Sequence, residues 1–278
     1  MCDWCQKHGA GKKWYLNIKN YSKELYKDEA VIEAIRAYFK NTHAFSGISS
    51  YERYLNLKSD EELASVAADV EHNIGTYIPH RGQVVPLEDV KEIIKIAGPI
   101  AEMTCVCRMS RRANFEEKPC ILVGPGFLEY CAQWPDYTRG GIDYISREEA
   151  VELMGGFNEK GYVATFWRCW ESPAVMGFCN CEFPSCGALR NRRRYGDWLN
   201  FFLRKAEYVV KQDFDACIGC RICVSRCQFG AIHYSPDWEK AIIDLKKCAG
   251  CGLCRDTCPQ NAINLVPRQE IPGIRELW

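Results

Sequence analysis

The sequence lacks net charge: 36 basic and 36 acidic side chains cancel over 278 residues. A nucleic-acid footprint would show as a large basic excess, so the balance argues against that class of partner. No uninterrupted apolar run approaches the ~20 residues that cross a bilayer, which excludes a membrane-spanning helix. The opening residues, Met1-Cys2-Asp3-Trp4-Cys5-Gln6-Lys7-His8, contain no apolar h-region, so a soluble, cytoplasmic chain is expected. With 47% apolar and 26% charged residues, disordered, collagen-like and coiled-coil compositions are all missing. Nucleotide motifs are missing too. Gly124-Pro125-Gly126 lacks the third glycine of a dinucleotide fingerprint, since Glu129 stands in its place, and no Walker loop occurs.

What is present in excess is cysteine, with eighteen in the chain. In a reducing cytosol, cysteines at short regular spacings point to metal rather than to disulfides. Cys217, Cys220, Cys223 and Cys227 are separated by two, two and three residues, and Cys248, Cys251, Cys254 and Cys258 repeat that spacing 31 residues later. Gly219 matches Gly250, and Ala231-Ile232 matches Ala262-Ile263, so the unit is duplicated. Cysteines at every third position let one loop wrap three thiolates round a single cubane, whereas zinc sites use separated pairs.

Residues 208 to 268 resemble the bacterial 2x4Fe-4S ferredoxin fold. In that arrangement the last cysteine of each run binds the cluster of the other half. The resemblance therefore implies one 4Fe-4S cluster on Cys217, Cys220, Cys223 and Cys258, and a second on Cys248, Cys251, Cys254 and Cys227. Strands are expected over Tyr208 to Lys211, Ala231 to Tyr234, Ala241 to Leu245 and Ala262 to Val266. Pro259 follows Cys258 as the pattern asks, but Gln228 stands where the first run would have proline. Fully cysteine-ligated cubanes have no open iron position, so they move single electrons rather than bind substrate.

Upstream, apolar residues recur at helical spacing: Val31, Ile32, Ile35, Tyr38 and Phe39; Leu63, Val66, Ala67, Val70 and Ile74; Val90, Ile93, Ile94 and Ala97. Ser146-Arg147-Glu148-Glu149 reads as a capping box that opens a helix carrying Ala150, Leu153, Met154 and Phe157, with Gly161 as its end. A final helix is expected to carry Leu199, Phe202, Leu203 and Ala206. These stripes predict an α+β chain, with an α-rich N-terminal domain over 1–207 followed by a two-cluster ferredoxin domain and tail over 208–278.

Ten further cysteines lie upstream. In an extended segment residues i and i+2 share a face, so Cys105-Val106-Cys107 and Cys179-Asn180-Cys181 can each present two thiolates to one centre. With Cys120 and Cys186 they make six candidate ligands for a third centre, either another 4Fe-4S cluster or zinc. Cys131 and Cys169, without close cysteine neighbours, read as buried small hydrophobes. Cys2, Cys5 and His8 lack the CxxCH order of a haem attachment site. The stretches Cys105-Val106-Cys107-Arg108, Pro119 to Gly124, Ile145 to Ala150, and Cys179-Asn180-Cys181 with Cys186-Gly187-Ala188-Leu189-Arg190 are similar to a broader family of cytoplasmic 4Fe-4S proteins of anaerobes. That resemblance covers residues 99 to 268 and implies electron transfer without naming a substrate. Glu182 follows Cys181 where further cysteine would be expected. Arg190, Arg192, Arg193 and Arg194 read as a solvated helix face, and Arg108, Arg111 and Arg112 as counter-charges to a nearby centre.

The leading expectation is an electron-transfer protein that works as a subunit or partner of a redox enzyme, with a redox donor and acceptor as its partners and no nucleic acid. The alternative enzymatic reading is a reductase acting at an open N-terminal cluster or a CxC dithiol. A regulatory reading has the N-terminal helices bind a partner or nucleic acid while the clusters sense redox state, and the neutral overall charge counts against nucleic acid.

Overall fold

The structure is a computed structural model that describes residues 7–9, 13–41, 80–105, 107–108, 117–131, 138, 141–168, 174–183, 185–195, 203–275 and 277. Before residue 208 the described chain is built on a seven-stranded sheet: β1 (Gly82–Val84), β2 (Ile100–Met103), β3 (Cys120–Val123), β4 (Ile142–Ile145), β5 (Val163–Arg168), β6 (Val175–Cys181) and β7 (Leu203–Arg204). The order is β4-β2-β3-β6-β5-β1-β7, antiparallel throughout except for the parallel pair β1 and β7. The chain is thus α+β as expected, and the described residues of its first part arrange their helices about a central sheet.

The helices of this part are α1 (Glu29–Asn41), α2 (Leu87–Ile96), α3 (Pro125–Cys131), α4 (Arg147–Lys160) and α5 (Gly187–Tyr195). They explain why the strands escape a period-two search. Ile121, Val123, Phe166 and Phe178 face a core with Val90, Ile93 and Ile94 of α2 and Met154 and Phe157 of α4. Met103, Cys120, Leu122 and Met176 pack on the opposite side with Val31 and Ile35 of α1 and Phe127 and Leu128 of α3. A sheet covered on both faces reads as unbroken apolar runs, not as an alternation, and β3 is indeed buried at all four positions.

The three described helical expectations stand as α1, α2 and α4. The capping box at Ser146 is formed in both directions, and Gly161 closes α4 at φ 89°. The periodic stretch from Leu63 to Ile74 lies outside the described residues, as do Cys2, Cys5, Arg111, Arg112 and Cys169. The final helix is corrected. Leu199 and Phe202 are outside the described residues, Leu203 begins strand β7, and Ala206 is in irregular backbone whose N–H donates to Ala249 O at 2.9 Å. Pairing with β1 outweighs the helical spacing here, because β7 completes an edge that would otherwise be unpaired.

The last seventy residues form two small antiparallel sheets, β8 (Tyr208–Gln212) with β11 (Ile263–Pro267) and β9 (Ile232–Ser235) with β10 (Lys240–Ile243). Each sheet takes one strand from either copy of the repeat, so the two copies interlock. Short helices α6 (Ile222–Arg226) and α7 (Leu253–Asp256) sit within the cysteine runs. No helix among the described residues is long and apolar enough to cross a membrane.

Candidate metal centres

Each cysteine run starts at a tight turn that only a residue without Cβ can make. Gly219 (φ 68°) and Gly250 (φ 72°) bring the backbone within reach of Glu239 O and Tyr208 O, where a Cβ would lie 2.1 Å from either oxygen. These turns aim amides at the first thiol of each run. Burial pushes the Cys217 thiol up, yet the amides of Gly219 and Ala241, the Gln212 side chain and the charge of Lys240 together hold it below its ordinary value. In the other half the amides of Val210 and Gly250 face Cys248 in the same way, the repeat shift carrying Val210 onto Ala241. Farther along, the N–H of Ala231 donates to Cys227 Sγ and that of Ala262 to Cys258 Sγ, both at 3.3 Å.

The fourth cysteine of each run sits in the opposite half. Cys258 lines one concavity together with Cys217, Cys220 and Cys223. Cys223 is pushed up to about 11 by burial and then by the charges of Cys217 and Cys220, with Cys258 contributing as well. In the other group burial drives Cys251 up to about 12 against the pull of the Leu253 amide, with Cys227 and Cys248 adding to the rise. Cys254 is raised by burial and by Cys251, Cys248 and Cys227. Two sets of four thiols, each three from one run and one from the other, suit a cubane: soft sulfur donors and main-chain N–H groups on the sulfurs, with Cys248 and Cys254 of the second set buried as well. The family model of a 4Fe-4S dicluster domain matches residues 216–263. No curated protein matches the chain. A dicluster domain means iron–sulfur electron transfer and redox partners.

The two halves of the dicluster domain are unlike in burial. Cys220 is exposed, with Ile218 and Ile222 exposed beside it, whereas Cys248, Cys254 and Ala249 are buried. Arg268, fully buried, donates to the carbonyls of Ala206, Tyr208 and Cys248 at 2.9 to 3.1 Å, and its charge acts on the Cys248 thiol. The repeat places Asp237 at the equivalent position of the first half, so no motif could have disclosed this cation. Gln212 escaped notice for the same reason: from the end of β8, which pairs with β11, its Nε2 donates to Ala241 O of β10 at 2.8 Å.

The six upstream cysteines converge. Sheet register sets Cys120 opposite Cys179 and brings Cys181 into the same pair of strands. Cys105 and Cys107 follow β2, the other neighbour of β3. The thiols act electrostatically on one another, Cys105 with Cys107 and Cys120, Cys179 with Cys120 and Cys181, and Cys186 with Cys181 and Cys107. This closes a ring of six sulfurs, in which Cys186 Sγ donates to Cys181 Sγ at 3.0 Å. Contacts from Cys179 and Cys186 hold Cys181 down at about 6, and those from Cys105 and Cys179 lower Cys120, while the donors Cys105, Cys179 and Cys186 are raised. Arg108 is buried beside the ring, paired with Glu117 at 2.8 Å and Glu182 at 3.2 Å. Glu182, the departure after Cys181, thus serves as a partner of that cation. Among the described residues no three His, Cys, Asp or Glu side chains are set to hold one metal ion.

Cys131 packs in the apolar cluster with Phe127 and Leu128, which also contains Cys120 and has Cys105 and Cys179 packed against it. In the basic run, Arg190 and Arg193 are exposed and Arg193 lies over the Phe183 ring at 4.5 Å, but Arg192 is buried, so that face is not wholly solvated.

Proposed function

We propose that this protein is a cytoplasmic electron carrier of an anaerobe-type redox system, working in complex with a donor and an acceptor protein. Residues 208–278 carry two 4Fe-4S clusters, one on Cys217, Cys220, Cys223 and Cys258 and one on Cys248, Cys251, Cys254 and Cys227, and residues 1–207 dock that relay and bind a third metal centre. The observation that carries the reading is the exchange of the fourth cysteine between the runs. Bound cubanes supply one-electron transfer. The chain's own residues fix their surroundings: amides of Gly219, Ala241, Val210 and Gly250 donate to the leading thiols, and Arg268 sets a buried positive charge at Cys248 alone.

For the third centre the candidate ligands remain Cys105, Cys107, Cys120, Cys179, Cys181 and Cys186, taking either a further 4Fe-4S cluster or zinc. Iron, sulfide and zinc determination on anaerobically prepared protein tests both statements. At least about eight irons per chain are expected, and fewer than about four would refute the relay. A second reading, a reductase using a dithiol, is favoured by the 3.0 Å contact of Cys181 and Cys186. Turnover of a disulfide substrate by the isolated chain with an artificial donor would replace the carrier reading by this one.

A further inference from the structure

We infer that the exposed face around Cys220 docks a basic one-electron redox protein, whose apolar contact spot, rimmed by lysine or arginine, seats on Phe214, Ile218, Ile222 and Trp238. The inference rests on the carrier reading and adds where one partner docks and what its surface must be.

Three observations carry it. The first is that these four exposed apolar side chains lie together. Ile218 and Ile222 line the concavity of Cys217, Cys220, Cys223 and Cys258. The turn at Gly219 abuts Glu239 O, next to Trp238, and the Trp238 ring meets that of Phe214 edge-on at 5.8 Å. Exposed apolar residues scattered singly are ordinary, whereas a joined group rimmed by polar residues marks an interaction site.

The second observation is what the repeat does with the same face. Its 31-residue shift carries Ile218 onto Ala249 and Ile222 onto Leu253. Both of these are buried, packed with Val84, Leu189 and Leu203 from the earlier part of the chain. One of two equivalent faces is therefore already a docked surface. The open one carries the larger apolar side chains.

The third is charge. Asp213 and Asp215 flank Phe214, Asp237 and Glu239 flank Trp238, and all four are exposed. The cations within 213–223 and 234–240 are Arg221 and Lys240, and each lies over a ring of the chain itself. Arg221 is 3.8 Å from the Tyr234 centroid, and Lys240 is 4.8 Å from that of Phe214, with its Nζ also donating to Phe214 O. An acidic rim round an apolar centre complements a basic rim round another, which speeds encounter and rejects acidic partners. One electron crosses the contact, oxidising one protein and reducing the other; no bond forms and no proton is required.

The test uses the full chain, prepared and reduced anaerobically. A lysine-rich cytochrome c is the basic acceptor, and the same cytochrome with succinylated lysines is the acidic one. Stopped-flow rates should favour the basic form by about tenfold or more at low salt and converge as salt rises. Replacing Asp213, Asp215, Asp237 and Glu239 together by Lys should invert that preference, which a shifted potential cannot do because it moves both rates alike. Lysine at Glu92, Glu148, Glu152 and Glu159, on α2 and α4, changes the net charge equally and should keep the preference. Trp238→Ala should slow the basic acceptor by about threefold or more with iron content unchanged.

Equal rates with both cytochromes, or an inversion by the α2 and α4 reversals as complete as that by the rim, overturns the surface and leaves the carrier reading intact. A wild-type dimer that Trp238→Ala converts to a monomer assigns the face to a second copy and overturns the basic partner. A chain without iron refutes the carrier reading itself, and iron content is measured before any rate. Should the fourfold rim variant fail to fold, Asp237→Lys with Glu239→Lys, both on the exposed turn between β9 and β10, makes the same comparison at half the charge change.

Discussion

A single atom separates a functional cysteine run from one that cannot close. At Gly250 the backbone is in the left-handed region and a Cβ would overlap Tyr208 O, a main-chain oxygen that cannot swing aside. Gly250→Ala is expected to destabilise the fold by ~1–3 kcal/mol and to lose about four irons per chain, read as a lowered melting temperature and a smaller iron content. The control is within α4. Gly155 and Gly156 have open space where a Cβ would go, so Gly156→Ala should instead stabilise by ~0.5–1 kcal/mol with iron unchanged. An equal loss of iron in both variants would refute the steric account. At this scale the sequence was legible where chemistry repeats along the chain: the two runs of four cysteines and their two glycines are fixed by spacing. It was illegible for Arg268 and Gln212, whose partners are carbonyls and thiols on strands far away in the chain.

Elements with one face in water were often the legible ones, although strand β4, exposed at its two middle positions, was missed. Helix α4 exposes one side, so its apolar stripe, its Ser-x-x-Glu start and its glycine stop all show. Ser146 Oγ accepts from Glu149 N at 3.1 Å and Ser146 N donates to Glu149 Oε2 at 2.7 Å. Ser146→Ala removes the first of these, which should cost ~1 kcal/mol. Thermal unfolding of the cluster-loaded protein measures this, and an unchanged midpoint would mean that α4 is held by packing alone. The four strands of the dicluster domain were placed to within a residue or two, because each keeps a half-exposed face. Strands β1, β3 and β6 were missed since both faces are covered, and β7 is only two residues long. The ring followed the same logic in reverse: CxC spacing announced two thiol pairs, while their union depended on the unseen register of β3 against β6.

At the scale of the whole molecule the two parts are not beads on a linker. Lys13 Nζ reaches Asp89 at 2.7 Å and Tyr208 OH at 2.5 Å, Arg255 pairs with Glu88, and Arg226 Nη2 donates to Asn158 O at 3.0 Å. A boundary drawn at residue 207 from the cysteine repeat and the resemblance over 208 to 268 carries no sign of these bonds. The one sequence clue was Gln228, the residue that departs from the expected proline. Its Nε2 donates to Gly161 O at the end of α4, and its Oε1 accepts from Phe183 N at 2.6 Å, two residues beyond Cys181. Proline offers neither bond, so the departure makes sense as a clasp between the first cysteine run and the segment that carries the ring. Gln228→Pro restores the expected pattern locally while opening the seam, a loss of ~1–3 kcal/mol for two bonds, one of them to a main-chain N–H left without its partner. Iron content should remain as in the wild type, because Cys227 keeps its amide partner Ala231. Hydrogen exchange should quicken at Gly161 to Val163 and Phe183 to Cys186 and stay unchanged in β9 and β10. Quickening in β9 and β10 with loss of iron would show instead that Gln228 serves the cluster turn and not the seam.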